Sequence, residues 1–254
     1  MILNISPSPK RVGLVLAAAG FVTALLSAIC DFVGQRYDVD RLWAVMRQFN
    51  VTEEGNFVNW YQSMTLLVCA ALLAAIGSVK RKSGGRYPRH WFFLALVFLF
   101  VSMDESAQVH EMSVTTLIAQ FRGKRETGTD PGKNQTLDVT EKEGKDGNDG
   151  KEVKEDNAGS RLTWMWIYLP VFLIMVAIYW RFFLDLPPGN RMFFVIAATL
   201  YLGGAVGVET MGDRLGIPFA DQVSELMEML GVAAFVYTLM GYLDDQTSAP
   251  KAQA

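Results

Sequence analysis

The chain has 254 residues, 51% of them hydrophobic and 19% charged, with a net charge of −3 and a mean hydropathy of +0.20. The charges are uneven, because Arg122–Ser160 alone holds ten of the 26 acids and eight of the 23 bases. The rest is apolar in unbroken blocks that a soluble domain could not bury, which points to an integral membrane protein and away from a nucleic-acid surface.

The first block, Val12–Phe32, follows Lys10 and Arg11 as a signal-peptide h-region would. It is about 20 residues long and no A-x-A-like site follows, so it reads as a retained span. Within Asp38–Asn56, the residues Leu42, Val45, Met46 and Phe49 recur at i, i+3, i+4 and i+7 beside Trp43. That spacing predicts a short amphipathic helix on the outer membrane surface. Spans two and three are Trp60–Val79 and Trp91–Ile118, separated by Lys80, Arg81, Lys82, Arg86 and Arg89. Such a basic loop belongs in the cytoplasm. Arg122–Ser160 has almost no large apolar residue and is expected to be a disordered outer loop.

Span four is Leu162–Phe183. Pro187-Pro188-Gly189, with Arg181 and Arg191 nearby, breaks the chain on the cytoplasmic side before span five, Met192–Met211. Ala198, Gly203, Gly204 and Gly207 give span five a small-residue stripe for close helix packing. Gly216–Pro218 precedes span six, Val223–Leu243. Both termini are then cytoplasmic. Trp60, Trp91, Trp164, Trp166 and Trp180 fall at span ends, where indole rings favour the interface. The expected fold is an all-α polytopic bundle of six transmembrane helices. Residues 1–121 would carry spans one to three, 122–160 the loop, 161–246 spans four to six, and 247–254 a disordered tail.

Acids interrupt three of these spans. At about 1.5 Å per residue, Asp104 lies roughly 20 Å from the cytoplasmic start of span three, with Glu105 just beyond. His110 and Glu111 come near 28–30 Å, Glu209 of span five near 24 Å, and Glu228 and Glu225 of span six at roughly 22 and 27 Å. Asp104, Glu105, His110, Glu111, Glu209, Glu225 and Glu228 thus share one slab about 10 Å thick in the outer half of the membrane. Helical phase gathers Asp104, Gln108 and Glu111 on one stripe and Asp221, Glu225 and Glu228 on another, with Glu105 and His110 to either side of the first. Asp31, Glu53 and Glu54 read as ordinary outer-loop charges.

The run Phe100-Val101-Ser102-Met103-Asp104-Glu105…His110-Glu111 resembles a signature of an uncharacterised family of bacterial multi-pass inner-membrane proteins. Glu54-Gly55-Asn56…Trp60, Gly203-Gly204…Gly207-Val208-Glu209 and Ser224-Glu225…Glu228-Met229…Gly231 are similar to other segments of that family. The resemblance covers most of the chain outside Arg122–Ser160, which looks like an insertion. It implies the bacterial inner membrane and no activity.

Acids inside a membrane are costly and usually mark a function. So many together need protons, a cation or basic partners to compensate their charge. A divalent metal site follows, with Fe, Mn, Zn or Ca as candidates and metal-dependent catalysis as one use; the spacing is Glu225-x-x-Glu228 rather than the E-x-x-H of ferritin-like bundles. A proton- or cation-coupled transporter uses the same groups. A structural or accessory subunit, its acids satisfied by protons and hydrogen bonds, is the third reading. Ser102, Ser106 and His110 lack a third catalytic member, and G-x-S-x-G, P-loop, G-x-G-x-x-G and H-E-x-x-H are absent. Two histidines, His90 and His110, are too few for a poly-histidine iron site. Cys30 and Cys69 form no C-x-x-C motif and no disulfide framework.

Overall fold

Proline and asparagine set where the helices begin. Pro9, Pro88 and Pro188 each open a helix, a position where the missing N–H costs nothing and the fixed φ is already helical. Asn56 caps another, its Oδ1 accepting from the Val58 N–H at 2.9 Å and the Asn59 N–H at 3.2 Å. The computed structural model describes residues 8–37, 42–51, 53, 55–107, 170, 172–208, 211–212 and 216–248. Among these the regular structure is all helical, with no strand.

Five helices are long and apolar enough to cross a membrane. They are α1 (Pro9–Arg36), α3 (Phe57–Lys82), α4 (Pro88–Ala107), α6 (Pro188–Leu202, continued by a π-helical segment Gly203–Val208) and α7 (Ala220–Ser248). Between α1 and α3 lies α2 (Trp43–Met46), extended by a 3-10 turn at Arg47–Phe49. The expected fourth span is represented by the shorter apolar helix α5, Phe172–Leu184. Residues 162–169 and 171 of that span, the loop 122–160, Trp164, Trp166 and the tail from 249 lie outside the described residues. The long helices overrun the apolar blocks by several residues because backbone hydrogen bonding continues past the point where hydropathy falls. The amphipathic segment is shorter than expected and buries none of its residues, leaving Leu42, Trp43 and Val45 exposed.

The backbone divides into two compact units, residues 1–107 with 176–254, and residues 108–175. Of the second, only Pro170 and residues 172–175 are described, all helical. In the first, α7 is the central helix: α1, α3, α6 and the π segment all pack against it, and α3 packs most extensively on α4. The core joins Leu66, Leu73 and Ile76 of α3, Trp91 of α4, Phe182 of α5, and Val236 and Leu239 of α7. Trp91 departs from expectation. It is 1% exposed, stacked on Tyr242 at 5.2 Å and edge-on to Phe182 at 4.9 Å. The indole is core packing here, whereas Trp60 and Trp180 are exposed as interfacial rings would be. The outside of the bundle is apolar, with Leu14, Val15, Phe21, Leu96 and Phe100 more than half exposed. Such a surface suits lipid rather than water, and the helices suggest a membrane protein associated with a bilayer.

The bundle has two chemically distinct ends. Lys80, Arg81 and Lys82 finish α3, Arg89 stands in the first turn of α4, and Arg86 pairs with Asp185 at 2.9 Å. Lys80 Nζ donates to Gln246 Oε1 at 2.7 Å, which fixes the C-terminal part of α7 at that end. The opposite end gathers the end of α1 and the starts of α3 and α7 with the ends of α4 and α6.

Candidate functional site

Two serines fix how α4 lies on α3 near that second end. The Ser63 hydroxyl donates to the Ser102 carbonyl at 2.7 Å, and the Ser102 hydroxyl donates to the Ser63 carbonyl at 2.8 Å. Both residues are buried. This reciprocal clasp takes Ser102 out of contention as a nucleophile and sets the height at which Asp104 and Glu105 follow.

Four acids at this end meet neutral donors, three of them across helices. Asn59 Nδ2 of α3 donates to Glu105 Oε1 of α4 at 3.3 Å. Gln62 of α3 donates to the Glu225 carboxylate of α7. Gln222 of α7 donates to Asp31 of α1. Within α7 the Ser224 hydroxyl donates to Glu228 Oε1 at 3.4 Å. Asp31 is therefore part of a helix and bonded into the bundle, not an outer-loop charge as the sequence suggested. Glu53 does behave as a surface charge, 3.4 Å from Arg47.

The acids also share a neighbour. The carboxylates of Glu228, Glu105, Glu225 and Asp104 all act electrostatically on the hydroxyl of Tyr201 in α6. Two helices thus bring four half-buried carboxylates into the electrostatic neighbourhood of one phenol. The π segment that follows Tyr201 comes very close to α7. A Cβ built on Gly204 would lie 2.5 Å from the Ser224 carbonyl oxygen and 3.0 Å from Glu228 Cγ, and one on Gly203 would lie 3.0 Å from Met227 Cε. Gly203 and Gly204 therefore serve the close packing expected of them. Gly207 meets nothing within 4 Å, and Ala198 is exposed.

Of the seven residues predicted to form the site, Asp104 and Glu105 on α4 and Glu225 and Glu228 on α7 come together. His110, Glu111 and Glu209 lie outside the described residues. Among the described residues, no three His, Cys, Asp or Glu side chains form a group able to hold a metal ion. Two of the four acids are bonded to side-chain amides, Glu105 to Asn59 and Glu225 to Gln62. One of those amides carries an open acceptor: Asn59 Oδ1 is buried and has no hydrogen-bond partner among the described residues. The oxygen donors grouped here are thus carboxylates, an amide oxygen and a phenol.

A family model described as a domain of unknown function, DUF8692, matches residues 13–242. The chain belongs to DUF8692. The matched region contains every acid and amide of this DUF8692 site, and the expectation of an uncharacterised family holds. No curated protein and no solved structure matches the chain.

Proposed function

We propose that this DUF8692 protein binds a cation in its acidic layer. The observation that carries the reading is that neighbouring amides of α3, Asn59 and Gln62, hold Glu105 of α4 and Glu225 of α7, with the open Asn59 Oδ1 beside Glu105. A buried amide oxygen without a donor is unfavourable by itself, and a cation or its bound water would satisfy it. An oxygen-only donor set suits a hard divalent ion, Ca²⁺ or Mn²⁺ ahead of Fe or Zn. His110, Glu111 and Glu209 would complete the sphere. A metal-dependent enzyme could be built on such a site.

A second reading is proton- or cation-coupled transport, and the π segment favours it. π-helical turns interrupt the α-helical ladder and are frequent at functional sites, and transporters place ions where helices are broken. Here the interruption lies against Ser224 and Glu228.

In this proposal the basic end faces the cytoplasm of a bacterial inner membrane, both termini are inside, and the acids lie toward the outer face. The exposed Leu42, Trp43 and Val45 of α2 would rest on the outer lipid surface.

Metal analysis of protein purified in mild detergent tests the reading, comparing the native chain with a Glu105→Gln/Glu228→Gln variant. Stoichiometric divalent metal lost in the variant supports a metal site. Absence of metal, with acid-driven cation flux in liposomes that the variant abolishes, supports transport. Neither metal nor flux refutes the cation site and leaves amide-bonded acids that stitch a structural subunit together.

A further inference from the structure

Directly adjoining the acidic layer is an apolar cavity of about 140 Å³. Three helices place it one turn from the acids. Val101 precedes Asp104 and Glu105 by three and four residues, Gly231 and Val232 follow Glu228 by three and four, and Leu66 follows Gln62 by four. Residues at these spacings stack on one helix face. Tyr201 belongs to both regions. It lines the cavity, while its hydroxyl lies in the field of the four carboxylates.

The cavity is walled by α3, α4, α6 and α7. Its opposite walls come from α4 and α6, which pack on α3 and α7 respectively and not extensively on one another. Ala198 lines the cavity and is also exposed, so it stands at the mouth. The exposed neighbours of the lining residues on α4 and α6 are apolar, with Leu96 63%, Phe100 54% and Val195 52% exposed. Such an opening admits a hydrocarbon chain from lipid more readily than an ion from water.

We propose that the acidic layer accepts the ammonium head of a single-chain amphiphile, whose hydrocarbon end enters the cavity between α4 and α6. The proposal rests on the layer being a cation site and adds the chemical class of the ligand. Charge complementarity fixes the head: four carboxylates in a poorly solvated layer favour a cation, disfavour an anion, and gain little from a neutral alcohol. Size fixes the tail. An apolar cavity of about 150 Å³ holds one benzene, so this one takes a segment of a single chain and not a pair of acyl chains. An ammonium donates up to three hydrogen bonds, which the carboxylates, Asn59 Oδ1 and the Tyr201 oxygen can accept.

The test measures retention of dodecylamine by native mass spectrometry in a neutral detergent, beside dodecanol and dodecanoate, with Mn²⁺ uptake measured in parallel. Wild-type protein should retain the amine at least about tenfold over either analogue, as expected when a charge-assisted hydrogen bond is gained, and Mn²⁺ should displace it. Ala198→Phe fills the mouth at an exposed position away from the acids. It should abolish amine retention and leave Mn²⁺ uptake intact, and Val97→Phe, from the α4 wall, should do the same if Ala198→Phe fails to fold. Glu225→Gln/Glu228→Gln should lose both ligands. Equal retention of amine and alcohol, or unchanged amine retention in a folded plugged variant, overturns the amphiphile proposal while Mn²⁺ binding stands. Wild-type protein that takes neither amine nor Mn²⁺ overturns the cation site itself.

Discussion

Replacing Gly204 by alanine tests the contact that brings α6 against the acids. The added Cβ would lie 2.5 Å from the Ser224 carbonyl oxygen, 3.0 Å from Glu228 Cγ and 3.2 Å from Met227 Cβ. Ordinary contact begins at 3.4 Å, so the helices must part by about 0.9 Å, and the nearest atom is backbone that no side-chain rotation can move. Overpacking of this kind costs about 1–3 kcal/mol. For a chain of this size that corresponds to a fall in Tm of roughly 2–12 °C. Gly207→Ala is the internal control, because nothing lies within 4 Å of its added Cβ. Alanine is the better helix former by up to about 1 kcal/mol, so Gly207→Ala should leave Tm unchanged or raise it. Thermal unfolding followed by near-ultraviolet circular dichroism in one detergent measures both. If Gly204→Ala melts with Gly207→Ala, α6 and α7 are not in the close contact described, and the placement of Tyr201 beside Glu228 fails with it.

Three further outcomes follow from other contacts. Asn56 caps α3 and also donates through Nδ2 to the Asn50 and Glu53 carbonyls, so Asn56→Ala should lower stability by about 2 kcal/mol, read from the same thermal unfolding. Ser63→Ala and Ser102→Ala each break one arm of the clasp, and because the two hydroxyls also lie 3.3 Å apart, a double-mutant cycle should return a coupling of about 0.5–3 kcal/mol; additive losses would show that the two hydroxyls do not meet. With Cys30 replaced by alanine and Cys69 buried, an impermeant maleimide on intact cells should label Phe57→Cys at the acidic end and spare Ser83→Cys at the basic end. The reverse pattern would invert the proposed topology.

The apolar blocks were legible in the sequence because membrane-length hydropathy needs no knowledge of partners. Helical rise converts residue counts into height and gave the expectation that Asp104, Glu105, Glu225 and Glu228 share one depth. The partners of those acids were less legible. Asn59, Gln62, Ser63 and Leu66 follow i, i+3, i+4, i+7 spacing on α3, a buried face whose polar members are uncharged and so carry no hydropathy or charge signal of a site. Asp31 looked like a loop residue because hydropathy falls there while the helix runs on to Arg36. Tyr201 lay hidden in an apolar run, where a phenol and a packing aromatic look alike. The cavity and the π segment are properties of packing between helices, and no single helix's pattern encodes them.

The π segment alters how mutations in α6 propagate. A wider turn accommodates one more residue than regular winding does, and each residue is worth about 100° of rotation. Deleting one residue of Gly203–Val208 would restore an unbroken α-helix and leave the chain beyond it on much the same azimuth, whereas a deletion in a regular turn of α6 would rotate everything beyond it by about 100°. Gly212, whose added Cβ would sit 2.5 Å from Ala220 Cβ, keeps its seat against the start of α7 only in the first case. In the π segment, identity is therefore a tighter constraint than length: the wide turn absorbs a one-codon deletion, while Gly204 admits no added Cβ.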